Sequence, residues 1–211
     1  MINYDRSKVE IGILHFGLGG FHRAHQAVFA DLAIENGNYG LGIASISQRD
    51  PSLADEMSAA DSIYDVEASD GNRTERRTIG AIKESLFYSR DEARILDIAR
   101  SPKLKAITLT VTEKAYKADS DFTARLIKVL RARFEVGGSS IAVISCDNLP
   151  SNGDFIRNLL KEAVTDNALW SWIDSNVRFP NCMVDRIVPA PDKTNRLLIK
   201  TEIFNQWVIE H

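Results

Sequence analysis

The stretch Ile13–Gln26, ILHFGLGGFHRAHQ, sets two spaced glycines directly before two histidines and an arginine. Gly17-x-Gly19 has the spacing of a phosphate cradle. The first glycine permits a tight turn, the second lets a pyrophosphate approach the backbone, and a following helix start offers free N–H groups. Its third fingerprint position is His22, not glycine, so the turn alone leaves two readings open: a dinucleotide site or an ordinary strand-to-helix turn. His22 and His25 lie three apart with no third ligand nearby. They suit packing or hydrogen bonding at a helix start better than a metal centre, which needs three or four donors, and no metal is expected. Arg23 can pair with phosphate or stand solvated on a helix. Asp50 would accept from the hydroxyls of an adenosine ribose, although it follows Gly19 by 31 residues, beyond the usual spacing of ~20. It can equally cap a helix beginning at Pro51. Arg49, beside it, would suit a 2′-phosphate. Cys146 reads as a small core residue.

Such a turn works only if a strand feeds it and a helix leaves it. Val9–Phe16 is short, rich in branched residues and closed by Gly17, which predicts a buried strand. His22–Glu35 carries an apolar stripe through Ala24, Val28 and Leu32 and ends at Asn36-Gly37, which predicts a helix. Gly40–Ser47 is a second strand, completing a βαβ unit. Further strands are expected at Leu104–Val111 and Ile141–Ser145. Helices are expected at Pro51–Ala60, Asp91–Arg100, Phe122–Phe134, Asp154–Val164 and Ala168–Ser175. Ile63–Ala68 and Arg73–Ile79 alternate, and Asp70-Gly71 between them predicts a hairpin. Beyond these lies a loop-rich stretch and one strand within residues 201–210. Strands alternating with helices give an α/β class with a mainly parallel sheet, carrying the hairpin as an insertion.

The totals narrow the function classes. The 211 residues carry a formal charge of −3, with 26 basic residues scattered among 29 acidic ones, which disfavours nucleic acid as the main partner. Two cysteines without CxxC spacing argue against a disulfide framework or a zinc knuckle. There is neither an apolar leader nor an 18-residue apolar run, so no membrane partner and a cytoplasmic setting are expected.

Five collinear stretches, HFGLGGFHRAHQAVFADLA, ITLTVTEKAY, SCDNLPSNG, RFPNCMVDRIVPA and FNQWVIE, resemble the polyol-specific long-chain dehydrogenases, which include mannitol 2-dehydrogenases and fructuronate reductases. The resemblance implies a Rossmann-like dinucleotide-binding domain over residues 1–211. It implies NAD as cofactor, with NADP possible, and hydride transfer to or from a small polyol or sugar acid without zinc. Gly17, Gly19, Phe21 and Arg23 would inherit cofactor roles, Asp50 the ribose contact, and Thr112, Glu113 and Lys114 a place at the cofactor edge of the sheet. Asn148 would help hold the substrate oxygen and Asp185 would be the active-site aspartate. Fructuronate or mannonate oxidation is the alternative within the class, and a non-catalytic dinucleotide sensor is the alternative outside it. The family's helical C-terminal domain supplies a lysine in a KxxxxNxxH motif, which residues 1–211 do not contain. Two segments, near 118–121 and 198–201, are shorter than the family pattern, and Ala115 stands where glycine is usual. Oligomeric state is not legible.

Overall fold

The computed structural model describes residues 1–112, 115–190, 192 and 194–210. Its frame is a six-stranded sheet built from β1 (Ile11–Phe16), β2 (Gly42–Ser47), β5 (Ile82–Phe87), β6 (Ala106–Leu109), β7 (Ile141–Ser145) and β8 (Val177–Arg178). The strands lie in the order β5-β2-β1-β6-β7-β8, and every pairing in it is parallel. From β1 the chain builds outward to β2 and β5, then crosses back and continues on the other side through β6, β7 and β8. The reversal falls between β1 and β6, the place where open α/β sheets leave a crevice at their carboxyl ends. This is the expected Rossmann-like fold.

Parallel strands bury both faces, and alternate residues divide between two cores. Leu14, Phe16, Ala44 and Ile46 join α4 (Tyr88–Arg100), α5 (Asp121–Glu135), α6 (Asn152–Ala163) and α7 (Asn167–Asn176) on one side. Ile13 and Ile43 face α1 (Gly20–Ala24), α2 (Gln26–Glu35) and α3 (Pro51–Ala59) on the other. The two-residue period also turns His15 and Ser45 to the α1 side.

The structure departs from expectation in four places. The helix expected over His22–Glu35 is two helices, broken at His25 (φ −118°, ψ −85°), whose ring nitrogen hydrogen-bonds the Gln206 carbonyl at 2.8 Å. Strand β5 replaces an expected connection; its central Lys83 and Glu84 obscure the apolar pattern, which an edge strand tolerates. The hairpin of β3 (Tyr64–Ser69) and β4 (Thr74–Ile79) is present and antiparallel, but β10 (Leu198–Glu202) adds to it in parallel, making a three-stranded sheet. The single strand expected within residues 201–210 is therefore two. The second, β11 (Gln206–Ile209), pairs antiparallel with β9 (Cys182–Asp185) inside the stretch expected to be loop. Among the described residues no helix is long and apolar enough to cross a membrane.

Candidate functional site

A cleft of about 700 Å³ opens at the carboxyl edge of the sheet. Gly17, Gly19 and Phe21 after β1, Arg49 and Asp50 after β2, Thr112 after β6, and Asp147 after β7 all line it. Gly17 has φ +138°, and a Cβ there would lie 2.3 Å from Thr110 Oγ1 and 2.8 Å from the Thr110 carbonyl oxygen. Only glycine fits that turn. Gly19 is different: a Cβ there meets nothing within 4 Å, so its bare backbone fronts open space at the start of α1. Because α1 is only five residues long, free N–H groups rather than a long helix dipole are what this turn offers an anion.

The turn rests on a buried polar layer. The rings of His15 and His22 stack with centroids 3.5 Å apart. His15 bonds Thr108 Oγ1 at 2.6 Å and Thr110 Oγ1 at 2.8 Å, and His22 bonds Ser45 Oγ at 2.8 Å. Burial pushes His22 down to about 3 and His15 well below the usual imidazole range, so the stacked rings are neutral and do not repel. His22 and His25 thus pack and hydrogen-bond at the helix start. Phe21 stacks on His25 at 5.0 Å, which fixes one wall of the cleft.

Asp50 has two jobs in the fold. Its Oδ1 accepts from the backbone N–H groups of Ser52 and Leu53 at 2.9 and 3.3 Å, capping α3, and its Oδ2 accepts from Arg196 Nη2 at 2.6 Å. The Ser52 hydroxyl also donates to Oδ1 at 2.6 Å, and this bond first, with those of Leu53 and Arg196, holds the carboxyl below the usual range despite some burial. Arg23 is not brought to the cleft. It is 1 % exposed, donates from Nη1 to the Arg196 carbonyl at 2.5 Å, and lies over the Tyr64 ring at 5.7 Å. Glu113 and Lys114 lie outside the described residues. Asn148 sits in the bend after β7 and Asp185 at the end of β9; both are exposed and neither lines the cleft.

Two lining residues escape sequence reasoning. Asp147 is held by the Val111 backbone N–H at 2.9 Å and by the Tyr116 hydroxyl, and burial pushes its carboxyl up to about 6. Nothing in SCDN distinguishes it from a solvated strand-end acid; only packing does. Arg125, on α5, reaches the cleft with its guanidinium 4.5 Å from the Tyr88 ring centre and donates to Gln48 O at 3.3 Å. It reads in sequence as an ordinary residue of an amphipathic helix.

The description of the mannitol dehydrogenase Rossmann domain matches residues 11–211. The mannitol 2-dehydrogenase of Cereibacter sphaeroides is 33% identical, over 99% of this chain and 52% of its own length. The D-mannonate oxidoreductase of Escherichia coli K12 is 34% identical, over 99% of this chain and 51% of its own. Among solved structures, Pseudomonas fluorescens mannitol 2-dehydrogenase, in a ternary complex with NAD and D-mannitol, superposes with a TM-score of 0.88 at 29% identity. That match covers 99% of this chain and 51% of the other. The chain therefore spans about half the length of the curated relatives it matches. The first of these alignments runs over 246 positions, more than the 211 residues present, so that relative carries residues within the aligned stretch that this chain lacks. On a match that covers nearly the whole sequence, this chain belongs to the mannitol dehydrogenase family, in its Rossmann domain.

Proposed function

We propose that the cleft binds a nicotinamide dinucleotide, with its pyrophosphate over Gly17–Gly19 and its adenosine ribose at Asp50. The observation that carries this reading is the convergence of a bare Gly19 backbone, a strand-end acid and an open volume of about 700 Å³ at the β1/β6 reversal. That volume lies within the range of small-molecule sites. Asp50 favours NAD, since a carboxylate accepts from ribose hydroxyls and repels a 2′-phosphate. Arg23 supports Asp50 from behind, through the Arg196 backbone. Phe21 and Thr112 wall the cleft, and Glu113 and Lys114 belong to the same edge by family likeness.

When bound, the nicotinamide supplies hydride acceptance or donation at a substrate carbon. Asn148 donates a hydrogen bond to the substrate oxygen as charge develops on it. Asp185 orients the polar end of the substrate. Their exposure suits residues that meet substrate at a surface outside the cofactor cleft. The substrate class is a polyol or sugar acid, with mannitol as the first choice and fructuronate or mannonate as the rival. Residues 1–211 bind the cofactor but lack the positioned lysine that would take the alcohol proton. A panel of mannitol, fructose, fructuronate and mannonate, each with NAD(H) and NADP(H), on the complete gene product tests the reading. Mannitol oxidation with NAD is expected, and turnover of none of the four would refute it.

A further inference from the structure

Asp147 stands just past β7 and lines the cleft, yet the fold engages only one of its carboxylate oxygens. Oδ2 accepts from the Val111 backbone N–H at 2.9 Å and from the Tyr116 hydroxyl, which also lies 3.1 Å from Ser145 Oγ. Those two donors fix the plane of the carboxylate. Oδ1 has no hydrogen-bond partner among the described residues, and Asp147 opens onto the cleft. The backbone around it is held as well. Asn152 Nδ2 donates to the Ser145 and Asp147 carbonyl oxygens at 3.0 and 3.1 Å. The fold thus presents one oriented acceptor to the cleft.

The strand order decides which part of a ligand meets that acceptor. β1 carries the glycine turn, β2 with Asp50 lies on one side of it, and β6 and β7 lie on the other. A dinucleotide with its pyrophosphate over Gly17–Gly19 and its adenosine toward Asp50 sends its other half toward β6 and β7. Asp147 stands two strands from β1, about 10 Å at the usual strand spacing of ~4.8 Å. The first donors past the pyrophosphate on that side are the hydroxyls of the nicotinamide ribose. An ionised carboxylate only accepts, so it suits a diol and repels a phosphate.

We propose that Asp147 is a cofactor-binding residue whose Oδ1 accepts a hydrogen bond from a hydroxyl of the nicotinamide ribose, while Oδ2 stays tied to Val111 and Tyr116. The inference rests on the reading that the cleft binds a nicotinamide dinucleotide. It gives the cleft one acid for each ribose, Asp50 past β2 and Asp147 past β7. It also accounts for a carboxyl that the fold holds at a disadvantage. Burial pushes Asp147 up to about 6 against both of its hydrogen bonds, and no cation offsets that among the described residues. Groups kept in such surroundings cluster where ligands bind. Above pH 6 the carboxyl is mostly ionised and is the acceptor that the ribose needs.

Asp147→Asn separates binding from folding. The Val111 N–H is a fixed donor and keeps the amide oxygen in the place of Oδ2, which turns the amide NH2 toward the cleft. Shape and inner bonds remain, while the cleft-facing atom changes from a charged acceptor to a neutral donor. Calorimetric titrations of the 211-residue protein and of this variant at about pH 7.5, with NAD, ADP-ribose and ADP, read the result. NAD and ADP-ribose should each bind the variant about tenfold more weakly, the difference between a charge-assisted and a neutral hydrogen bond. ADP, which lacks the second ribose, should bind both proteins equally. Equal affinities of the two proteins for all three ligands would overturn the proposal. So would a loss with NAD alone, which would put the carboxamide at Oδ1, or a loss shared by ADP, which would mark a change in the whole cleft. A parent protein that binds none of the three would instead refute the cofactor reading, and this inference with it.

Discussion

The two glycines of the Gly17–Gly19 turn should fail in opposite ways when replaced. A Cβ at Gly19 meets nothing within 4 Å, and its φ of −71° and ψ of 176° are open to any residue. Gly19→Val should therefore fold, losing no more than about 1 kcal/mol, the penalty of an aliphatic residue at a helix N-cap. Its side chain would stand where the pyrophosphate meets the backbone. Losing two charge-assisted hydrogen bonds at about 1.5–3 kcal/mol each weakens binding by at least ~100-fold. Gly17→Ala reverses the pattern. Its φ of +138° and the 2.3 Å approach to Thr110 Oγ1 combine backbone strain of about 1–3 kcal/mol with a clash against the hydroxyl that holds His15. The melting temperature should fall by on the order of 5–10 °C. Thermal melts and calorimetric NAD titrations on both variants separate the effects. A folded Gly19→Val protein with unchanged NAD affinity would refute the assignment of the turn.

Three further outcomes follow from the cleft. Asp50→Ala should narrow or reverse a preference for NAD over NADP, read from paired titrations, and lower stability by ~1 kcal/mol through loss of the α3 cap; unchanged cofactor selectivity would remove Asp50 from the ribose site. Asp147 titrates near 6 in the folded chain and near ~3.9 unfolded, so its cost is absent below about pH 4 and complete above about pH 6. Asp147→Asn should gain stability over the parent across that window, approaching ~3 kcal/mol at pH 8, and a difference that does not vary with pH in urea unfolding would contradict the burial argument. Asn148→Ala in the complete gene product should leave melting within about 0.5 kcal/mol, because Asn148 is exposed and makes no side-chain hydrogen bond among the described residues. The same variant should lower turnover by ~10²–10³, and steady-state kinetics showing normal turnover would return Asn148 to a loop role.

Local signals were legible where local physics decides. Asp70-Gly71 announced the hairpin because its turn needs a positive φ, +89° at Gly71, and a side chain to take the Asn72 and Arg73 N–H groups. Asp50-Pro51 announced both a cap and a strand-end acid, and Asp50 occupies both places. Features decided by distant partners stayed hidden. The break at His25 has no glycine or proline behind it; it answers to Gln206, 181 residues away. Arg23, exposed on a simple helical reading, is drawn inward by Tyr64 and the Arg196 carbonyl. The raised pKa of Asp147 comes from its burial, which outweighs the opposing hydrogen bonds from the Tyr116 hydroxyl and the Val111 N–H. Those contacts exist only once the strand order is set.

The central claim is that the carboxyl edge of this sheet is a dinucleotide site. Its most direct measurement is a calorimetric titration of NAD into the 211-residue protein, followed by hydrogen exchange of the Leu18–Phe21 amides with and without saturating NAD. The account predicts one saturable site per chain and slowed exchange confined to that turn and the residues after β2 and β6. A flat titration, or saturation with exchange at Leu18–Phe21 unchanged, would contradict it.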